Sequence, residues 1–86
     1  MASYRLLVKR SAVKELQSLR IKDRRRVVRR LQALADDPRP QGCEKLAGVA
    51  LYRVRQGDYR VLYEISDAQK SVTIVKVGNR RDVYRT

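Results

Sequence analysis

The chain contains no histidine, no tryptophan and no phenylalanine. Catalysis built on an imidazole is therefore excluded. Cys43 is the single cysteine, so no internal disulfide forms and a transition-metal site has almost nothing to draw on. Apolar runs fall well short of the roughly 20 residues that span a bilayer. Met1 to Val8 is too short for a secretory signal and carries Arg5, so a cytoplasmic protein with no membrane association is expected. Acidic residues are few: 9 Asp and Glu face 21 Lys and Arg, a net charge of +12. With a pI near 10.7, such a chain is expected to seek polyanions. Arginine supplies most of the excess, and its planar fork suits bidentate contact with phosphate. The 86 residues have room for one domain, 1–86, and no internal repeat is evident.

The excess charge is unevenly placed. Residues 1–30 hold 11 basic and 2 acidic side chains, a net of +9. Tyr4, Leu6 and Val8 alternate with Arg5, Leu7 and Lys9, the pattern of a strand. Ser11 is a candidate N-cap, and Ala12, Val13, Leu16 and Leu19 recur at helical spacing, predicting a helix from Ala12 to about Leu19. Asp23 is a candidate cap for a second helix. Val27, Val28, Leu31, Leu34 and Ala35 form its apolar stripe, and Arg24, Arg25, Arg26, Arg29 and Arg30 cover the rest. Asp36, Asp37 and Pro38 end it. Past a loop at 38–42 the periodicity changes to two, with strands expected at Leu51–Arg55, Tyr59–Ile65 and Val72–Val77.

Gly57 and Asp58 suit the centre of a two-residue hairpin turn. That register sets Tyr52 opposite Tyr63, Val54 opposite Val61 and Arg55 opposite Arg60. Arg53, Arg55 and Arg60 then share one face, while the apolar pairs share the other with Tyr59 and Ile65. Like charges directly across a ladder weaken a sheet, so this face is expected to receive an anion.

The segment Leu51-Tyr-Arg-Val-Arg-Gln-Gly-Asp-Tyr-Arg-Val-Leu-Tyr-Glu-Ile65 resembles the central hairpin of the RelE/ParE toxin superfamily. The stretches Ala12-Val-Lys-Glu-Leu16, Lys45-Leu-Ala-Gly48 and Val77-Gly-Asn-Arg-Arg-Asp-Val-Tyr84 are similar to it as well. The resemblance implies an α+β fold, two N-terminal helices packed on a small, mainly antiparallel twisted sheet in the order β-α-α-β-β-β. It also implies a toxin that enters the ribosomal A site and cuts messenger RNA there, with an acidic antitoxin encoded nearby and no small-molecule cofactor or metal. The positions matching the subgroup's working residues are Arg53, Arg55, Arg60, Arg80 and Tyr84. Arg53 and Arg55 stand where the best-known pattern has lysine, and Asn79 where many relatives carry His or Lys. Lys45, Arg81 and Arg85 are further candidates for contact with messenger or ribosomal RNA.

Such a site would align the 2′-OH on the scissile phosphate, help remove its proton and stabilise the phosphorane. Arginine, with a pKa above about 12, suits charge stabilisation and not proton transfer. Tyr84 has three open roles: proton acceptor, stacking platform for a base, or packing at the sheet edge. Two other functions fit the same chain. One is a ParE-like poison of DNA gyrase without nuclease activity. The other is a non-enzymatic nucleic-acid-binding module, although neither a recognition-helix signature nor a Gly-rich phosphate loop is present.

Overall fold

The computed structural model describes residues 3–79. The longest element is helix α2, Ile21–Asp36, which follows the shorter helix α1, Arg10–Gln17. The stripe on α2 buries Val27, Leu31, Leu34 and Ala35, with Val28 only partly covered. On α1, Ala12 is fully buried and Leu16 packs against the core, but Val13 is 37% exposed. Helical spacing alone did not distinguish Val13 from its inward neighbours. The two helices are joined by a side chain from the second: Arg24 Nη2 donates to the carbonyls of Gln17 (3.2 Å) and Leu19 (3.3 Å). It thereby satisfies acceptors that the end of α1 leaves open.

Five strands complete the chain's described part: β1 Arg5–Val8, β2 Glu44–Lys45, β3 Tyr52–Gln56, β4 Tyr59–Ser66 and β5 Ser71–Asn79. Their order across the sheet is β1-β5-β4-β3-β2. All neighbours are antiparallel except β1 and β5, which run parallel, with Arg5 opposite Ser71 and Val8 opposite Ile74. The expected α+β architecture is thus present, with β2 as an additional short edge strand. The helices cover one face, where Ala12, Val27, Leu31 and Leu34 meet Val54, Val61, Tyr63, Val72, Ile74 and Val77.

The hairpin register agrees with the sequence reading at each pair: Tyr52 with Tyr63, Val54 with Val61, Arg55 with Arg60. Gly57 takes φ +60° while Asp58 stays in the ordinary region, the pattern of a type II′ turn, which needs glycine at its first central position. Tyr63 is fully buried, stacks on Tyr52 at 5.8 Å between ring centroids, and donates its hydroxyl to the Pro38 carbonyl (2.7 Å).

Both expected helix caps are corrected. α1 begins one residue before Ser11, with Lys9 at the cap position, and α2 begins two before Asp23, with Arg20 there; neither cap uses a side-chain hydrogen bond. Asp23 instead accepts the Tyr59 hydroxyl at 3.1 Å. For Asp23 a tertiary hydrogen bond thus takes the place of the cap.

Candidate functional site

Strand alternation decides which side chains of the hairpin reach the face away from the helices. Val54, Val61 and Tyr63 turn into the core, so Arg53, Arg55, Arg60 and Leu62 turn out. Arg55 and Arg60 are direct cross-strand partners, with Cα atoms about 4.5–5.5 Å apart for such a pair. On its other side Arg60 faces Gly78 of β5, which contributes no side chain. Arg60 is only 8% exposed, and its Nε and Nη1 are buried without a hydrogen-bond partner among the described residues. A buried, unsatisfied guanidinium is costly, because a charged group left without partners keeps its full desolvation penalty.

The three arginines differ in their surroundings. Arg55 is exposed. Arg53 is ion-paired with Glu44, its cross-strand neighbour on β2. Composition gives no hint of Glu44, which became visible only when β2 joined the sheet. Lys45 is exposed on β2 opposite Tyr52, so it lies on the helix-side face, away from the arginines. Lys76, opposite Leu62, lies 3.7 Å from Glu15, whose other oxygen accepts the Val77 backbone N–H at 3.0 Å. Arg80, Arg81, Tyr84 and Arg85 lie outside the described residues.

Tyr4, Tyr59 and Tyr63 are poorly suited to accept a proton. Burial pushes the Tyr63 phenol well above its ordinary value. Burial, and then the Asp23 carboxylate, raises Tyr59. Tyr4 is raised by its hydrogen bond to Asp67. The arginine face can hold anionic oxygens and stabilise negative charge.

A family model described as the ParE toxin of type II toxin–antitoxin systems matches residues 6–84. The RelE–RelB complex of Pyrococcus horikoshii contains a chain 36% identical to this one, covering 91% of this chain and 96% of that one, with a TM-score of 0.81. The RelBE complex of Escherichia coli gives 26% identity, 88% and 95% coverage and a TM-score of 0.78. Toxin RelG of Mycobacterium tuberculosis is 44% identical over 41 residues, a match spanning 48% of this chain and 45% of that protein.

Proposed function

Because this chain belongs to the RelE/ParE toxin superfamily of type II toxin–antitoxin systems, we propose that it is the member type that cleaves messenger RNA in the ribosomal A site. The observation that carries this reading is Arg60, a guanidinium nearly enclosed beside Arg55 with two N–H groups unmet. A phosphate oxygen placed there would accept those N–H groups and offset the repulsion between the pair. Charge-assisted bonds of this kind are about twice as strong as neutral ones.

In the proposed reaction the RNA 2′-OH attacks the adjacent phosphorus. A 2′,3′-cyclic phosphate forms, the 5′-oxygen leaves, and one proton is lost at the nucleophile while another is gained by the leaving group. Arg55, Arg60 and Arg80 hold the phosphate and stabilise the phosphorane. Arg53 shapes that field through its pair with Glu44. Tyr84 accepts the 2′-OH proton, with Arg81 and Arg85 gripping the backbone. No step requires a metal, and cleavage is expected to persist when chelator removes transition metals while ribosomal magnesium is retained. The partner that restrains the toxin is proposed to be an acidic antitoxin, whose charge would speed and orient association with a +12 chain.

The deciding experiment incubates the protein with programmed ribosomes and maps RNA ends, with gyrase supercoiling assayed in parallel. New 5′-OH ends within the A-site codon are expected. Intact messenger together with gyrase inhibition would replace this reading with that of a gyrase poison.

A further inference from the structure

The reaction described above uses the outward face of the β3–β4 hairpin. The opposite face of the same tip carries a second constellation. Gln56 and Tyr59 pair directly beside Arg55 and Arg60, and alternation sends them to the helix side. There they line a cavity of about 150 Å³ with Asp23, Arg26, Gly57, Asp58 and Asn79. A neighbouring trough of about 280 Å³ is lined by Arg26, Arg29, Arg30, Ala33 and Gln56. Arg26 and Gln56 belong to both, so the two adjoin and make up a trench between α2 and the hairpin tip.

The two ends of the trench differ chemically. Arg26, Arg29 and Arg30 stand at i, i+3 and i+4 on one helix face, and among the described residues none has an ion-pair partner. That end suits phosphate. The other end holds two carboxylates, two side-chain amides and a tyrosine ring, within a strongly basic protein. Asp23 already accepts the Tyr59 hydroxyl, yet a carboxylate offers about four acceptor positions, so capacity remains. Paired carboxylates would repel an acidic peptide or a phosphate. They suit a ring with two adjacent N–H donors, and guanine, through N1–H and the exocyclic N2 amine, is the base that presents such a pair. Arg26, which lines the same cavity, carries the donor fork that pairs with O6 and N7, the commonest arginine–base pairing.

We propose that this trench binds single-stranded RNA by seating one unstacked guanine against Asp23 and Tyr59, with the flanking phosphates on Arg26, Arg29 and Arg30. Neighbouring arginines one helical turn apart are about 5.4 Å apart along the axis, within reach of adjacent phosphates. The trench is thus a base-selective RNA site on the reverse of the arginine face.

Binding of fluorescein-labelled oligouridylate, with and without one central guanosine, tests this without ribosomes or cleavage. The protein carries Arg55→Ala and Arg60→Ala to silence the outward face. One guanosine is expected to tighten binding by about 5- to 150-fold, the range of one good bidentate base contact. Asp23→Asn should abolish that preference at unchanged melting temperature. Arg29→Ala with Arg30→Ala should weaken both oligonucleotides alike and lower the salt slope by about one unit per arginine. Equal binding of the two oligonucleotides overturns the proposal, as does a guanosine preference that survives Asp23→Asn. Arginine variants that lose an acidic peptide but keep RNA would assign the strip to a protein partner, and also overturn it. Ribosomal cleavage without guanosine preference would remove the trench alone. Guanosine preference without cleavage would leave the trench standing and remove only the nuclease reading.

Discussion

At the scale of single residues, function and stability pull apart at Arg60. Its guanidinium is buried without described partners, so replacing it with a similarly long apolar chain removes an uncompensated charge. Arg60→Met is expected to melt no lower than wild type while cleavage on programmed ribosomes falls by about 10²–10³-fold, the typical loss of one transition-state charge contact. Thermal melts and single-turnover rates on one preparation check both halves, and wild-type cleavage by the variant removes Arg60 from the site. Tyr84 separates by its chemistry. Tyr84→Phe keeps the ring and loses the hydroxyl, so it should slow cleavage severely while RNA binding holds. A stacking role would leave Phe near wild type and make Ala the damaging change, by about 1–3 kcal/mol in binding. The raised phenols of Tyr4, Tyr59 and Tyr63 sharpen this expectation, since none of them is poised to substitute.

At the scale of elements, α2 is held by its apolar stripe more than by its ends. Leu31 is 2% exposed within the main cluster, and Leu31→Ala should cost about 2–5 kcal/mol, readable as a lowered urea midpoint. The elements also show what a sequence reveals by itself. The hairpin's register was legible because Gly57–Asp58 set the turn and two-residue alternation set the faces, while each strand runs one residue further than expected at its C-terminal end and β3 starts one residue later. The α2 stripe was legible for the same reason of periodicity. The caps were not, since Ser11 and Asp23 carry cap chemistry but lie inside the first turns. Pairing of β1 with β5, and of Glu44 with Arg53, leaves no local signature, because the partners are set by the assembled sheet. Arg60 was legible as a site candidate. Its burial was not, since that depends on where the sheet places it, beside Arg55 and Gly78.

Across the whole molecule, three distant segments meet at Asp67. Arg39 from the α2–β2 loop binds it through both terminal guanidinium nitrogens, at 3.0 and 3.3 Å, and Tyr4 donates its hydroxyl at 2.7 Å. Arg39 also lies over the Tyr52 ring at 5.4 Å. The Arg39 guanidinium, and then the Tyr4 hydroxyl, hold the Asp67 carboxyl below its ordinary value. A carboxylate depressed by folding contributes stability above its unfolded pKa, and loses it as pH falls through the folded value. Wild type should therefore exceed Asp67→Asn in urea midpoint at pH 7. The gap should close as pH drops below about 3.9, the ordinary value for Asp. A gap that stays constant through that range would mean the carboxylate's charge contributes nothing.

The position of β5 between β1 and β4 bears on how the protein is born. β1 is among the first elements to leave the ribosome, yet its neighbour in the sheet is the last strand described, and residues 72, 74 and 77 of that strand belong to the core. Until β5 emerges, β1 has no sheet to join and the helices have only part of a surface to cover. Folding must then wait on a contact between residues far apart in sequence, which slows it. Until then the β3–β4 hairpin that carries Arg53, Arg55 and Arg60 lacks its β5 neighbour and part of the core beneath it. Ribosomes stalled before residue 71 should hold a chain that a protease digests throughout. Chains released after β5 should resist it.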